Sequence, residues 1–174
     1  MLTPEFPQPN KRLGQNFLID ANIVRKIVAL AELSPNDHVL EIGPGRGILT
    51  KALCHAAGRV TAVEVDPRLH AYLEARQAEL PNVELICEDA LTYPIESLPI
   101  GTVVVANLPY YLSTPLLFRL LVQRGQFPRM VLVLQDEDLD LPEEEAAADN
   151  PDAPTVATTF AIFHADGGYV ENDP

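Results

Sequence analysis

Four consecutive residues, Asn107-Leu108-Pro109-Tyr110, join an amide, a restricted backbone and an aromatic ring directly after an apolar run, Thr102-Val103-Val104-Val105-Ala106. The run reads as a buried β-strand, so the four residues fall at one sheet edge. The Asn107 amide oxygen and a neighbouring backbone carbonyl can accept both N–H bonds of an exocyclic amine on a planar ring. Pro109 holds φ at about −65° and offers no competing donor. Tyr110 can stack on the ring, a contact worth about 1–3 kcal/mol for a nucleobase. Such a set captures an adenine N6 and aims its nitrogen at an electrophile. A strand that ends in a Pro-Tyr turn would use the same residues, and the upstream sequence has to weigh the two.

Three carboxylates stand upstream at similar places. Glu41 opens Glu41-Ile42-Gly43-Pro44-Gly45-Arg46-Gly47, where a strand ends and a helix begins. Glycines at alternating positions let a ligand approach the backbone closely. The dinucleotide fingerprint G-x-G-x-x-G would put its third glycine at Ile48; here it is Gly47, one place early. An acid just before the loop suits an ammonium group and opposes a pyrophosphate. Glu64, in Val63-Glu64-Val65-Asp66, can accept two hydrogen bonds from a ribose diol. Asp66, before Pro67, reads as a helix cap. Asp89, after a third strand, can accept from an adenine amine or stand as a solvated loop acid. A ligand-free Gly-rich turn remains the plain alternative for the loop.

The elements that must position these groups alternate. Asp20 can cap a helix from Ala21 to about Leu33. Strands are expected at His38 to Ile42, Arg59 to Val65, Val83 to Cys87, Val103 to Ala106 and Met130 to Leu134. Helices are expected at Gly47 to Ala57, at Pro67 to Leu80, and at Thr114 to Arg124 with Pro115 in its first turn. This alternation implies parallel βαβ units in an α/β sheet, and ligands bind such sheets beyond the C-terminal strand ends. The Gly loop, the three acids and the tetrapeptide all fall on those ends.

At this point the chain resembles the ribosomal RNA adenine N6-dimethyltransferase family, from about Lys11 to Gln135. The motifs are KRLGQNFL, EIGPGRG, VEVD, EDA and NLPYYLSTPLLF. Leu108 and Ser113-Thr114-Pro115-Leu116-Leu117 look more like the small-subunit enzymes than the erythromycin-resistance branch. The resemblance implies a Rossmann-like, S-adenosylmethionine-dependent methyltransferase fold. It implies that Gln15, Asn16 and Leu18 close over the cofactor, and that Gly43 and Gly45 line its methionine part with Glu41 near the ammonium. Glu64 would hold the ribose and Asp89 the cofactor adenine. Asn107 and Leu108 would hold the target amine, with Pro109 between them and Tyr110 stacking on the target base. The implied partner is ribosomal RNA or a small-subunit precursor.

Composition bounds the rest. The chain has 174 residues, a net charge of −13 and 47% hydrophobic residues, enough for one domain with a sizeable core. From Asp136 to Pro174 there are twelve acids and no Lys or Arg, so the remainder carries thirteen acids against twelve bases. Met1 to Pro9 reads as a flexible lead, residues 136–154 as an acidic, solvated loop, and Thr155 to Phe163 as a further strand with which Gly168 to Val170 could pair. Cys54 and Cys87 read as buried reduced thiols, and no His or Cys spacing suits a metal. No apolar run reaches the length of a membrane span and no signal peptide is recognised, which points to the cytoplasm; a monomer is favoured. Lys11, Arg12, Arg46, Arg119, Arg124 and Arg129 are candidate phosphate contacts.

After Gln135 the family pattern stops: Asp136-Glu137-Asp138 stands where a basic segment is expected, and no helical C-terminal domain follows in the chain. The leading expectation is methylation of adenine N6 in ribosomal RNA. A catalytically impaired remnant that binds cofactor or RNA is the alternative, and an NAD-linked oxidoreductase is disfavoured by Ile48.

Overall fold

A computed structural model describes residues 7, 8, 18, 20–108, 110–134, 159–164 and 169–172. Its elements follow the expected alternation: α1 (Ala21–Leu30), β1 (His38–Ile42), α2 (Ile48–Ala56), β2 (Arg59–Glu64), α3 (Pro67–Glu74), β3 (Val83–Cys87), β4 (Val103–Asn107), α4 (Tyr110–Val122), β5 (Arg129–Leu134), β6 (Thr159–His164) and β7 (Tyr169–Asn172). They build one sheet in the order β3-β2-β1-β4-β5-β6-β7. Every pair is parallel except β6 with β7. The fold is the Rossmann-like methyltransferase fold that the alternation and the resemblance imply.

Strands β1, β2, β4 and β5 are buried on both faces, which is why they are near-continuous apolar runs. Val39, Val60, Ala62, Val103, Val105, Val131 and Val133 turn to one side, against Val24 and Ile27 of α1 and Leu49 and Leu53 of α2. Leu40, Ile42, Val104, Ala106, Met130 and Leu132 turn to the other, against Leu112, Leu116 and Leu120 of α4. Chain order reverses between β1 and β4: β2 and β3 extend the sheet one way from β1, and β4 and β5 the other. That reversal is where a crevice opens in sheets of this kind.

Several boundaries differ from the sequence-based expectation, each for a physical reason. Helix α1 begins at the Asp20 cap, whose Oδ1 accepts the Asn22 N–H at 2.7 Å. It stops at Leu30, short of Leu33, because Glu32 takes φ 44° and Arg129 from β5 caps the last carbonyls. That guanidinium donates to Ala31 O at 2.8 Å and Glu32 O at 2.6 Å. The helix expected from Pro67 to Leu80 ends at Glu74, and a separate 3-10 turn covers Gln77–Glu79. Gln77 Nε2 donates to both Leu80 O and Val83 O at 2.8 Å, which draws the chain round into β3. Helix α4 starts at Tyr110, not Thr114, so Pro115 lies inside it and not in its first turn. Pro115 is exposed, on the side where water can take the hydrogen bond that proline forfeits. Cys54 is buried as expected, its thiol donating to Asn82 Oδ1 at 2.7 Å, but Cys87 is exposed at the end of β3, an edge strand.

Candidate active site

The glycine loop leaves β1 and turns over the C-terminal edge of the sheet. The Gly43 N–H donates to Val63 O of β2 at 3.0 Å. On its other side, a Cβ placed on Gly43 would lie 3.6 Å from the backbone carbonyl oxygen of Asn107. The loop and the Asn-Leu-Pro-Tyr segment therefore abut across the β1/β4 reversal. Gly47 shows why the third glycine stands where it does. Its φ is 81°, and a Cβ there would meet Leu73 Cδ2 of α3 at 2.5 Å. The left-handed backbone strains any side chain here, and one would also have to push the Leu73 methyl aside.

Glu64, at the end of β2, anchors the loop. Its Oε2 accepts the Gly45 N–H at 3.0 Å and its Oε1 accepts the Asp66 N–H at 2.9 Å. Burial raises its carboxyl pKa above the usual range, the two backbone donors pull it back, and the charge of Asp66 adds to the rise. Asp66 caps α3 as expected, its Oδ1 accepting from the Arg68 N–H at 3.0 Å. Glu41 is in a different situation. It is 1% exposed, and among the described residues neither carboxylate oxygen has a hydrogen-bond partner. Burial pushes its pKa up from 4.5 to about 8; the facing Thr50 hydroxyl lowers it and the charge of Glu64 raises it. Thr50 Oγ1 faces the carboxyl without closing a hydrogen bond, since it too lacks a partner. An unpartnered buried carboxyl at the root of a glycine loop is the chemistry that a cationic ligand completes.

Asn107 closes β4 beside the loop, and Leu108 follows it, 2% exposed, with its N–H on Val133 O of β5 at 3.1 Å. The Leu108 N–H is thus committed to the sheet. Tyr110 opens α4 directly after. Strand β4 thus ends at Asn107 and α4 begins at Tyr110. Asp89 lies beyond β3, exposed, and its Oδ1 accepts the Leu91 N–H at 2.9 Å. The edge so far carries, in sheet order, Asp89, Glu64, Glu41 with Gly43 and Gly45, and Asn107.

A family model described as ribosomal RNA adenine dimethylase matches residues 7–139. The chain belongs to that family. It is 47% identical to a ribosomal RNA small subunit methyltransferase A of Moorella thermoacetica over 74% of the chain and 49% of that relative. It is 41% identical to one of Corynebacterium glutamicum over 87% of the chain and 54% of the relative. This dimethylase-family chain thus spans about half the length of the curated relatives it matches. Among solved structures, a dimethyladenosine transferase from Plasmodium falciparum superposes with a TM-score of 0.60 at 33% identity, covering 67% of this chain and 42% of that one. The 23S rRNA methyltransferase ErmE gives 0.59 at 27% identity, covering 86% and 48%.

In this family member Leu18 packs against the core shared by α1 and α2. Gln15, Asn16 and Pro109 lie outside the described residues, as do Lys11 and Arg12. Three arginines expected to meet phosphates are engaged in the fold. Arg119 donates to Ala90 O at 2.7 Å and grips both oxygens of Glu96, pinning α4 to the β3–β4 connection. Arg129 caps α1. Arg46 reaches from the loop to Pro7 O at 2.8 Å. Sequence reasoning missed Thr50, the hydroxyl over Glu41. Its signal was a polar residue among Leu49, Leu53 and Cys54 on the buried face of α2.

Proposed function

We propose that the chain transfers methyl groups from S-adenosylmethionine to adenine N6 in ribosomal RNA, on the free RNA or a small-subunit precursor in the cytoplasm. The observation that supports the reading is the contact between the two motifs: Gly43 lies against the carbonyl of Asn107, so ligand loop and acceptor segment are neighbours on the sheet edge. Family membership and the names of the relatives support the same chemistry.

The residues present fit the cofactor. Gly43 and Gly45 leave room for its methionine part, Glu41, unpartnered among the described residues, suits the ammonium, Glu64 the ribose and Asp89 the adenine; the family resemblance adds Leu18, Gln15 and Asn16 as the residues that would close over them. When bound, S-adenosylmethionine supplies a sulfonium-activated methyl group. Asn107 Oδ1 and a nearby backbone carbonyl accept the two N–H bonds of the target amine. That favours a pyramidal nitrogen and frees a lone pair otherwise delocalised into the purine. Tyr110 stacks on the base, and Pro109 has no N–H to compete for the acceptors. Alignment then supplies much of the rate. The base must leave its stack first, at a cost of a few kcal/mol.

The test is incubation with labelled S-adenosylmethionine and small-subunit particles that lack the modification. Label should enter the RNA as N6-methylated adenine. Asn107→Ala should abolish transfer while cofactor binding, followed by calorimetry, stays within a few-fold. Equal loss of both would remove Asn107 from the acceptor role, and label that never reaches RNA would sink the reading.

A further inference from the structure

We infer that Glu41 is a proton-coupled counter-ion: its carboxyl is neutral in the ligand-free protein and releases its proton when a ligand ammonium enters beside it. The inference rests on the S-adenosylmethionine reading and adds what that reading does not contain, a proton in the binding equilibrium.

Among the described residues, nothing around Glu41 would hold a charge. On β1 it stands in register with Ala62 of β2 and Val105 of β4. From α2 only the Thr50 hydroxyl faces it, and the charged group that acts on it is Glu64 of β2, which is of the same sign. Both carboxylate oxygens lack partners among the described residues. An isolated buried carboxylate costs several kcal/mol, and such a group protonates instead. An arriving ammonium reverses this, because it supplies both the opposite charge and N–H donors. On binding, the O–H bond of Glu41 breaks, its electron pair stays on the carboxylate oxygen, and the proton passes to the buffer. The carboxylate then accepts N–H from the ammonium.

Calorimetry in two buffers of different ionisation enthalpy, phosphate and Tris, measures the proton directly. The probe is S-adenosylhomocysteine, which keeps the ammonium and cannot react. Near neutral pH its binding should release most of a proton. 5′-Methylthioadenosine, which keeps the nucleoside and lacks the amino acid, should release none. Between about pH 6 and 7.5 the affinity for S-adenosylhomocysteine should rise up to roughly tenfold per pH unit, while that for methylthioadenosine stays flat. Glu41→Gln should bind S-adenosylhomocysteine more weakly, with no proton released. Binding of S-adenosylhomocysteine without proton exchange overturns the inference and leaves the methyltransferase reading standing, as does equal release by both ligands. Failure of both ligands to bind overturns the two together.

Discussion

At the scale of single residues, the two carboxylates of the loop differ by their partners. Glu64 spends its oxygens on the Gly45 and Asp66 N–H groups and so shapes the loop. Glu41 finds no partner for either oxygen among the described residues, and burial lifts its pKa from 4.5 to about 8. A carboxyl raised on folding contributes stability that is fully present below the unfolded value and is lost as pH climbs through the folded one. The ligand-free protein should therefore weaken steadily from about pH 4.5 to about 8 on account of this group. Glu41→Gln keeps the shape and cannot ionise. It should flatten that part of the profile and exceed the parent in stability at about pH 9, by on the order of a few kcal/mol. Urea unfolding of both proteins at about pH 5 and pH 9 measures it, and superimposable profiles would show that Glu41 ionises freely in the fold. The sequence placed Glu41, Glu64, Gly43 and Asn107 at strand ends because residue type and run length fix those positions. It could not show which acid is satisfied, since that depends on the Gly45 N–H, brought to Glu64 from the loop after another strand.

At the scale of elements, the strands were legible because apolar β-branched runs buried on both faces leave little ambiguity. Helix ends were less so. The residue types alone do not stop α1 at Leu30; Glu32 turns to φ 44° there, and Arg129, a residue on β5 far along the chain, caps the end. That side chain donates to Ala31 O and Glu32 O and pairs with Asp37 at 3.3 Å, so it ties α1, the turn before β1 and β5 together at the edge opposite the site. Read from sequence it was a candidate phosphate contact, and the structure makes it a clasp. Arg129→Ala would strand two carbonyls at a helix end and should cost about 1–3 kcal/mol. Amide exchange should quicken in the last turn of α1 and in residues 34–37, with methyl transfer at saturating substrate little changed. Undiminished stability with weaker RNA binding would return Arg129 to the phosphate-contact role. The start of α4 was missed for the converse reason: Pro115 is usual in a first turn, and only the exposed face it occupies lets it sit deeper in the helix.

At the scale of the whole molecule, the charge distribution opposes the proposed partner. Five ion pairs engage Lys51, Arg59, Arg68, Arg119 and Arg129, five of the chain's twelve Lys and Arg, with acids of the fold. Twelve acids and no Lys or Arg occupy Asp136 to Pro174, and seven of them crowd into residues 136–145. The chain leaves β5 at Leu134 and returns to the sheet at Thr159, so this acidic stretch joins two adjacent parallel strands of the sheet that carries the site. A polyanion approaching that sheet meets like charge, and the repulsion is screened over about 10 Å at 0.1 M salt. Replacing Asp136, Glu137, Asp138, Asp140, Glu143, Glu144 and Glu145 by their amides should therefore tighten RNA binding most at low salt. In fluorescence anisotropy with a labelled small-subunit RNA fragment, the gain should exceed roughly tenfold at about 50 mM salt and fade towards nothing by about 0.5 M. Cofactor affinity should not move, because the glycine loop and its acids are built from β1, β2 and β3. A gain independent of salt would mean that the acids act through contacts of their own and not through their field.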